Sequence, residues 1–135
     1  MDVAERLYVA LVHASAALRA SDAELGLSPS RSSTLATLRY AGPLRVGELA
    51  RRGGVSQPTM TQAVQAMEAA GVVRRSPAEG DGRGCVVSIT PAGRALVRRA
   101  RARKIAWVRA ALDRTGGDDA GGALLAAIEA LDATA

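Results

Sequence analysis

The sequence has no phenylalanine, one tryptophan, two tyrosines, one histidine and one cysteine. A core without large aromatics must rest on Leu, Val, Ile and Ala, side chains that let helices approach closely. A lone Cys85 forms no intramolecular disulfide, which excludes a disulfide-stapled secreted scaffold. One His with one Cys makes no metal site of the usual type, so no metal and no cofactor are expected. No Cys/His, Ser/His/Asp or paired-carboxylate constellation is visible, which argues against an enzyme. No apolar run approaches the roughly 20 residues needed to cross a bilayer, so no membrane association is expected. The N-terminus carries Asp2 and Glu5 where an export leader would place a basic cluster, so a cytoplasmic protein is expected. Lysine is nearly absent too: Lys104 stands alone beside many arginines, a preference that a GC-rich genome would produce by itself.

What is present is positive charge in one place. The chain of 135 residues carries a net charge of +5 with a pI near 10.6. That length suits one domain, or a small domain with a dimerisation arm. Eleven arginines lie between Arg45 and Arg103 against four acids, Glu48, Glu68, Glu79 and Asp81, while the flanks are neutral to acidic. A locally basic centre is the footprint of a polyanion-facing surface.

Within that centre, residues 44–73 read as two short helices joined by a tight turn. Ser56 is a good N-cap, and Pro58 falls in the first helical turn, where a missing N–H is harmless. From about 56 to 70, Met60, Ala63, Val64 and Met67 form an apolar stripe at helical spacing. Gln57, Thr59, Thr61, Gln62 and Gln65 stay outside it. Small uncharged hydrogen-bonders are unusual on a surface helix, but they match base edges in the DNA major groove, where amides pair with adenine and hydroxyls with either kind of base. The plainer reading is an ordinary solvated face; the charge balance and the segment that follows favour a helix-turn-helix.

The rest of the chain fits around this pair. A first helix is expected over residues 2 to about 20, with Leu7, Leu11, Ala14 and Leu18 on one stripe, widened by Tyr8 and Val12, and a break beginning at Ser21-Asp22. Ser28-Pro29 opens a second helix that turns Leu35 and Leu38 inward and ends at Gly42-Pro43. A third runs from about Val46 to Arg52. Arg45 stands where a Ser or Thr cap would be expected, which makes it a candidate phosphate contact. Gly53-Gly54 turns into the recognition helix. A β-hairpin wing follows over about 72–90, its strands at 72–76 and 85–90, with Arg74 in the first strand and Arg83 at a glycine-flanked tip. Such a tip can place an arginine in a neighbouring minor groove. Cys85 alternates with Val87 and Ile89, which reads as a small buried strand residue before a redox sensor. Thr90-Pro91 opens a long helix to about Asp113. Its arginines, from Arg94 to Arg109, read first as a solvated face. A last helix starts near Asp118 or Asp119, with Gly121-Gly122 weakening its first turn by about 1 kcal/mol per glycine.

The fold expected is therefore mainly α with a small β-hairpin (α+β): a winged helix-turn-helix at 28–90 within a single domain, flanked by dimerisation helices at 1–27 and 91–135. The end helices are apolar on one side, and a second copy is the simplest way to cover them. A two-fold homodimer also sets two recognition helices into successive major grooves of a pseudo-palindromic operator on double-stranded DNA.

Three pieces carry a resemblance to a known family: GELA at residues 47–50, VSQPTMTQAVQAMEAAGVV at 55–73, and Asp81 and Arg83 followed by VSITPAG at 87–93. In these, and in the order of its elements, the chain resembles the MarR family of bacterial transcriptional regulators. The resemblance implies a homodimeric winged helix-turn-helix, usually a repressor of its own or neighbouring genes, released in many members by a small aromatic ligand or by cysteine oxidation. Gln62 stands where many members carry Arg, Gly53 replaces a usual Leu, and Gly82 and Gly84 loosen the wing tip. The DNA-binding residues expected are Arg45, Ser56, Gln57, Pro58, Thr59, Thr61, Gln62, Gln65, Arg74 and Arg83. Tyr8, His13 and Trp107 are candidates for a ligand pocket, with core or interface packing as their plainer role. The alternative function is a winged-helix module that binds another protein instead of DNA.

Overall fold

Six helices and three short strands follow one another among the described residues. The structure, a computed structural model, describes residues 1–80 and 84–133. It divides into two compact units, Met1–Ala100 and Arg101–Ala135, with the boundary inside the helix Pro91–Asp113.

In the first unit, α1 (Val3–Glu24) opens with a reciprocal cap: Asp2 accepts from the Glu5 amide while Glu5 accepts from that of Asp2. The helix runs through Ser21-Asp22, where the sequence suggested a break. Neither residue forbids a helix. The chain turns only past Leu25, where Gly26 takes a left-handed conformation (φ 73°). Leu7, Leu11, Ala14 and Leu18 are half-buried along α1, while Tyr8, Val9 and Val12 are left exposed.

Helix α2 (Pro29–Ala41) starts and stops where its signals lie: Ser28 caps the Arg31 amide, and Gly42 ends the helix at φ 78°. Leu35 and Leu38 are wholly buried, each contributing roughly 1.5–3 kcal/mol of hydrophobic stabilisation. Strand β1 (Leu44–Arg45) leads into α3 (Val46–Gly53), which has no side-chain cap at Arg45. Gly54 makes the left-handed turn to α4 (Gln57–Ala69), capped by Ser56. Met60, Val64 and Met67 on α4 join Leu35, Leu38 and Leu49 in one core.

Strands β2 (Val73–Pro77) and β3 (Cys85–Ile89) form the wing, and β1 pairs along the free side of β3, giving an antiparallel sheet of order β1-β3-β2. The hairpin expected from the sequence is thus part of a three-stranded sheet. Two residues carry no alternation pattern, and β1 exists only because Leu44 and Arg45 find Val87 and Val86 across the ladder. Val87 is fully buried, opposite both Leu44 and Arg75. Cys85 is half-buried, not enclosed.

Helix α5 (Pro91–Asp113) begins at a tight joint. Thr90 accepts from the Gly93 amide as a cap and donates its own hydroxyl proton to the Gly71 carbonyl at 2.6 Å. A Cβ on Gly93 would stand 2.1 Å from the Val72 carbonyl oxygen, so only glycine admits this approach. In the second unit, α6 (Asp118–Asp132) follows the glycine turn at 116–117. Among the described residues of that unit none is buried. Leu125 is 55% exposed and Trp107 45%. Among the described residues, no helix is long and apolar enough to cross a membrane.

Candidate nucleic-acid interface

The stripe that anchors α4 in the core decides what its other side shows. With Met60, Val64 and Met67 buried, helical geometry turns Gln57, Pro58, Thr59, Gln62 and Gln65 to solvent and leaves Thr61 half-buried. The three amides each present a donor and an acceptor. The hydroxyls are more committed. Ser56 Oγ accepts from the Thr59 amide at 3.2 Å and shares a hydrogen bond with Thr59 Oγ1 at 2.8 Å. Ser56 therefore acts first as a cap. Thr61 donates its proton to the Gln57 carbonyl at 2.9 Å, so toward solvent it offers lone pairs.

A groove of about 560 Å³ runs between the start of α4, the start of α3 and the wing. Arg45, Gln57 and Thr61 line it together with Arg75, Gly84 and Cys85. Gly47 also lines it, and a Cβ there would make only ordinary contact with Gln57 Oε1 at 3.4 Å. Arg45 reaches from β1 toward the loop end of the wing, its Nη1 3.4 Å from where a Cβ of Gly84 would stand. Arg45, from a different element, thus shares one concavity with Gln57 and Thr61 of α4. Gln62 and Gln65 continue along the exposed side of α4. Arg74 lies exposed on β2, facing oppositely to Arg75 by strand alternation. Arg83 and Asp81 lie outside the described residues.

The arginine excess is smaller in effect than its count. Glu48 accepts from Arg51 Nη2 at 2.6 Å and from Arg52 Nε at 2.8 Å. Those hydrogen bonds, Arg51's first and Arg52's second, hold its carboxyl down at about 2. Glu68 pairs with Arg75 at 2.8 Å. The Glu48 pairs were legible from their i, i+3 and i, i+4 spacing. No local pattern marks Glu68 and Arg75, seven residues apart across a turn.

The other singled-out residues are placed as follows. Tyr8 is 69% exposed on α1, and His13 is exposed on the same helix. Trp107 belongs to the second unit. Among the described residues no group of three His, Cys, Asp or Glu side chains converges as a metal site.

A helix-turn-helix whose second helix shows amides to solvent, beside a three-stranded wing, defines the winged helix-turn-helix class. A model of the MarR family matches residues 25–84. An uncharacterized HTH-type transcriptional regulator of Mycobacterium bovis is 34% identical over 106 residues, which cover 78% of this chain and 74% of that protein. The YusO protein from Bacillus subtilis has the same fold, with a TM-score of 0.85 at 23% identity over 99% of this chain and 94% of that one. The transcriptional repressor CouR, solved bound to a 23-mer DNA duplex, superposes with a TM-score of 0.64 at 25% identity over 97% of this chain and 92% of that one. The chain belongs to the MarR family and is a DNA-binding transcriptional regulator.

Proposed function

We propose that the chain works as a homodimeric, sequence-specific repressor of its own or neighbouring genes, acting in the cytoplasm on a pseudo-palindromic operator. The exposed, uncharged face of α4, flanked by Arg45 and Arg74, carries this reading. Gln57, Gln62 and Gln65 read base edges in the major groove, with Thr61 accepting from a base amino group. Thr59 and Pro58 lie against the backbone at the helix start, and Ser56 holds that start in shape. Arg45 and Arg74 meet phosphates, and Arg83 reaches the adjacent minor groove. Residues 28–90 are the DNA-binding unit. The helices at 1–27 and 91–135 join two copies, which supports the half-site spacing of about one DNA turn that a two-fold dimer needs.

Repression follows from occupancy of promoter DNA. CouR, a repressor bound to duplex DNA, supports both parts of the proposal. A small aromatic inducer, with Tyr8, His13 and Trp107 as candidate contacts, would release DNA only by binding the non-operator arrangement of the dimer more tightly.

The test is a fluorescence anisotropy titration of the intergenic DNA flanking the chain's own gene, across a salt series. Steep loss of affinity with salt, competition by related sites alone, and two chains per duplex are expected. Binding that ignores salt, or a duplex that unrelated DNA competes away equally well, would overturn the proposal.

A further inference from the structure

Most of the basic surface needs no acid, yet Glu68 sits within it. It occupies the last turn of α4, where the negative end of the helix dipole disfavours a carboxylate. It also belongs to a surface that, on the proposed function, approaches phosphates. Its hydrogen bonds give it a different use. Glu68 Oε2 accepts from Arg75 Nε at 2.8 Å, and Oε1 accepts from the Arg75 backbone amide at 3.4 Å. One carboxylate thus grips both the side chain and the main chain of a wing residue, across the connection at 70–72.

The strand alternation explains why Arg75 is the residue gripped. It shares the inner face of β2 with the buried Val73, opposite the buried Val87, while Arg74 shares the outer face. Arg75 lines both the groove beside the recognition helix and a second opening of about 510 Å³ that Glu68 also lines. The guanidinium therefore stands between α4 and the wing, with its charge directed at Glu68. On the other side of the same connection, Thr90 bonds the Gly71 and Val72 carbonyls through its hydroxyl and its amide.

We infer that Glu68 and Arg75 are a positioning pair that sets the wing's angle to the recognition helix, and that Arg75, although basic and exposed, is not a phosphate contact. The inference rests on the DNA-binding reading of α4 and the wing. Operator affinity depends on reaching a major and a minor groove together, and a strut between the two elements fixes that separation. Its side chains are 35% and 38% exposed, so a pair of this kind adds little to stability. The consequence lies in discrimination between DNA sites.

Charge alone and positioning predict opposite signs for one substitution. Glu68→Gln removes a negative charge from a DNA-facing surface and frees Arg75. By charge alone, every duplex would be bound more tightly. Positioning predicts about tenfold weaker operator binding, unchanged or tighter binding to unrelated DNA, and an unaltered melting temperature. Arg75→Met should lose operator affinity similarly, and the swapped double variant Glu68→Arg/Arg75→Glu should regain a good part of it. The experiment is an anisotropy titration of wild type and the three variants on operator and on scrambled duplex, with thermal melts alongside. Equal or tighter operator binding by Glu68→Gln would overturn the inference, as would a swapped variant no better than either single one. A wild type that does not prefer its operator would instead sink the proposed function on which the inference rests.

Discussion

The two units of this chain treat apolar surface in opposite ways. In Met1–Ala100 the side chains that the sequence marks as inward, Leu35, Leu38, Met60, Val64 and Met67, are buried within a single copy. In Arg101–Ala135 no described residue is buried, and Leu124, Leu125 and Leu131 are about half exposed on α6. Helix α1 belongs to the first unit but behaves in part like the second: one stripe is half-covered and a second, Tyr8, Val9 and Val12, is open. A unit that reads DNA must hold its groove-facing side chains in fixed positions by itself, because the operator is absent until binding. Helices that join two copies can leave their surface to be covered on assembly. On the proposed homodimer, the difference separates what one copy completes from what it leaves to the other.

The sharpest break of that comparison is in the first unit. Leu38→Ala should destabilise the fold by about 3 kcal/mol, the usual range for a truncated buried leucine, as read by urea denaturation. A far smaller loss would mean that this core is not close-packed. Gly93→Ala should cost about 1–3 kcal/mol by forcing α5 away from the Val72 carbonyl, and the same titration reads it. For the second unit, Leu125→Glu should leave the first unit's fold untouched while weakening self-association about tenfold, roughly 1.4 kcal/mol. Sedimentation velocity decides: a variant as dimeric as wild type would show that α6 is not at the interface.

The smallest effect concerns acid. Glu48 is ionised with a folded-state value of about 2, below its ordinary 4.5. A depressed carboxyl stabilises the fold above its unfolded value, and that stabilisation fades as the pH falls from 4.5 through about 2. Wild type and Glu48→Gln should therefore differ slightly at neutral pH and converge by pH 2 in thermal melts. A difference that grows with acidity would contradict the assignment.

Much of this was legible in the residues, for local reasons. Ser28-Pro29, Ser56 with Pro58, and Thr90-Pro91 announce three helix starts through their own hydrogen bonds, so α2, α4 and α5 begin where those signals stand. The periodic stripe of α4 settled which of its faces is open. What the residues did not announce depended only in part on distant partners. Strand β1 needs β3 to exist. The continuation of α1 past Ser21-Asp22 rests on the absence of any real breaker before Gly26. The Asp2–Glu5 cap is local, with the three-residue spacing of a capping box. In the site, amide and hydroxyl positions were evident, but the commitment of Ser56 to Thr59 and of Thr61 to the Gln57 carbonyl needed coordinates. So did the pairing of Arg75 with Glu68 across the turn, whereas the Glu48 pairs with Arg51 and Arg52 follow from helical spacing.

The central claim is that the open face of α4 reads base edges. Its most direct measurement is a selected-site profile of wild type against Gln57→Ala and Gln65→Ala. The account predicts altered base preference at the positions each glutamine meets, with losses of about 1–3 kcal/mol on the preferred site for each bidentate contact removed. Identical profiles for all three proteins, differing only in overall affinity, would contradict it.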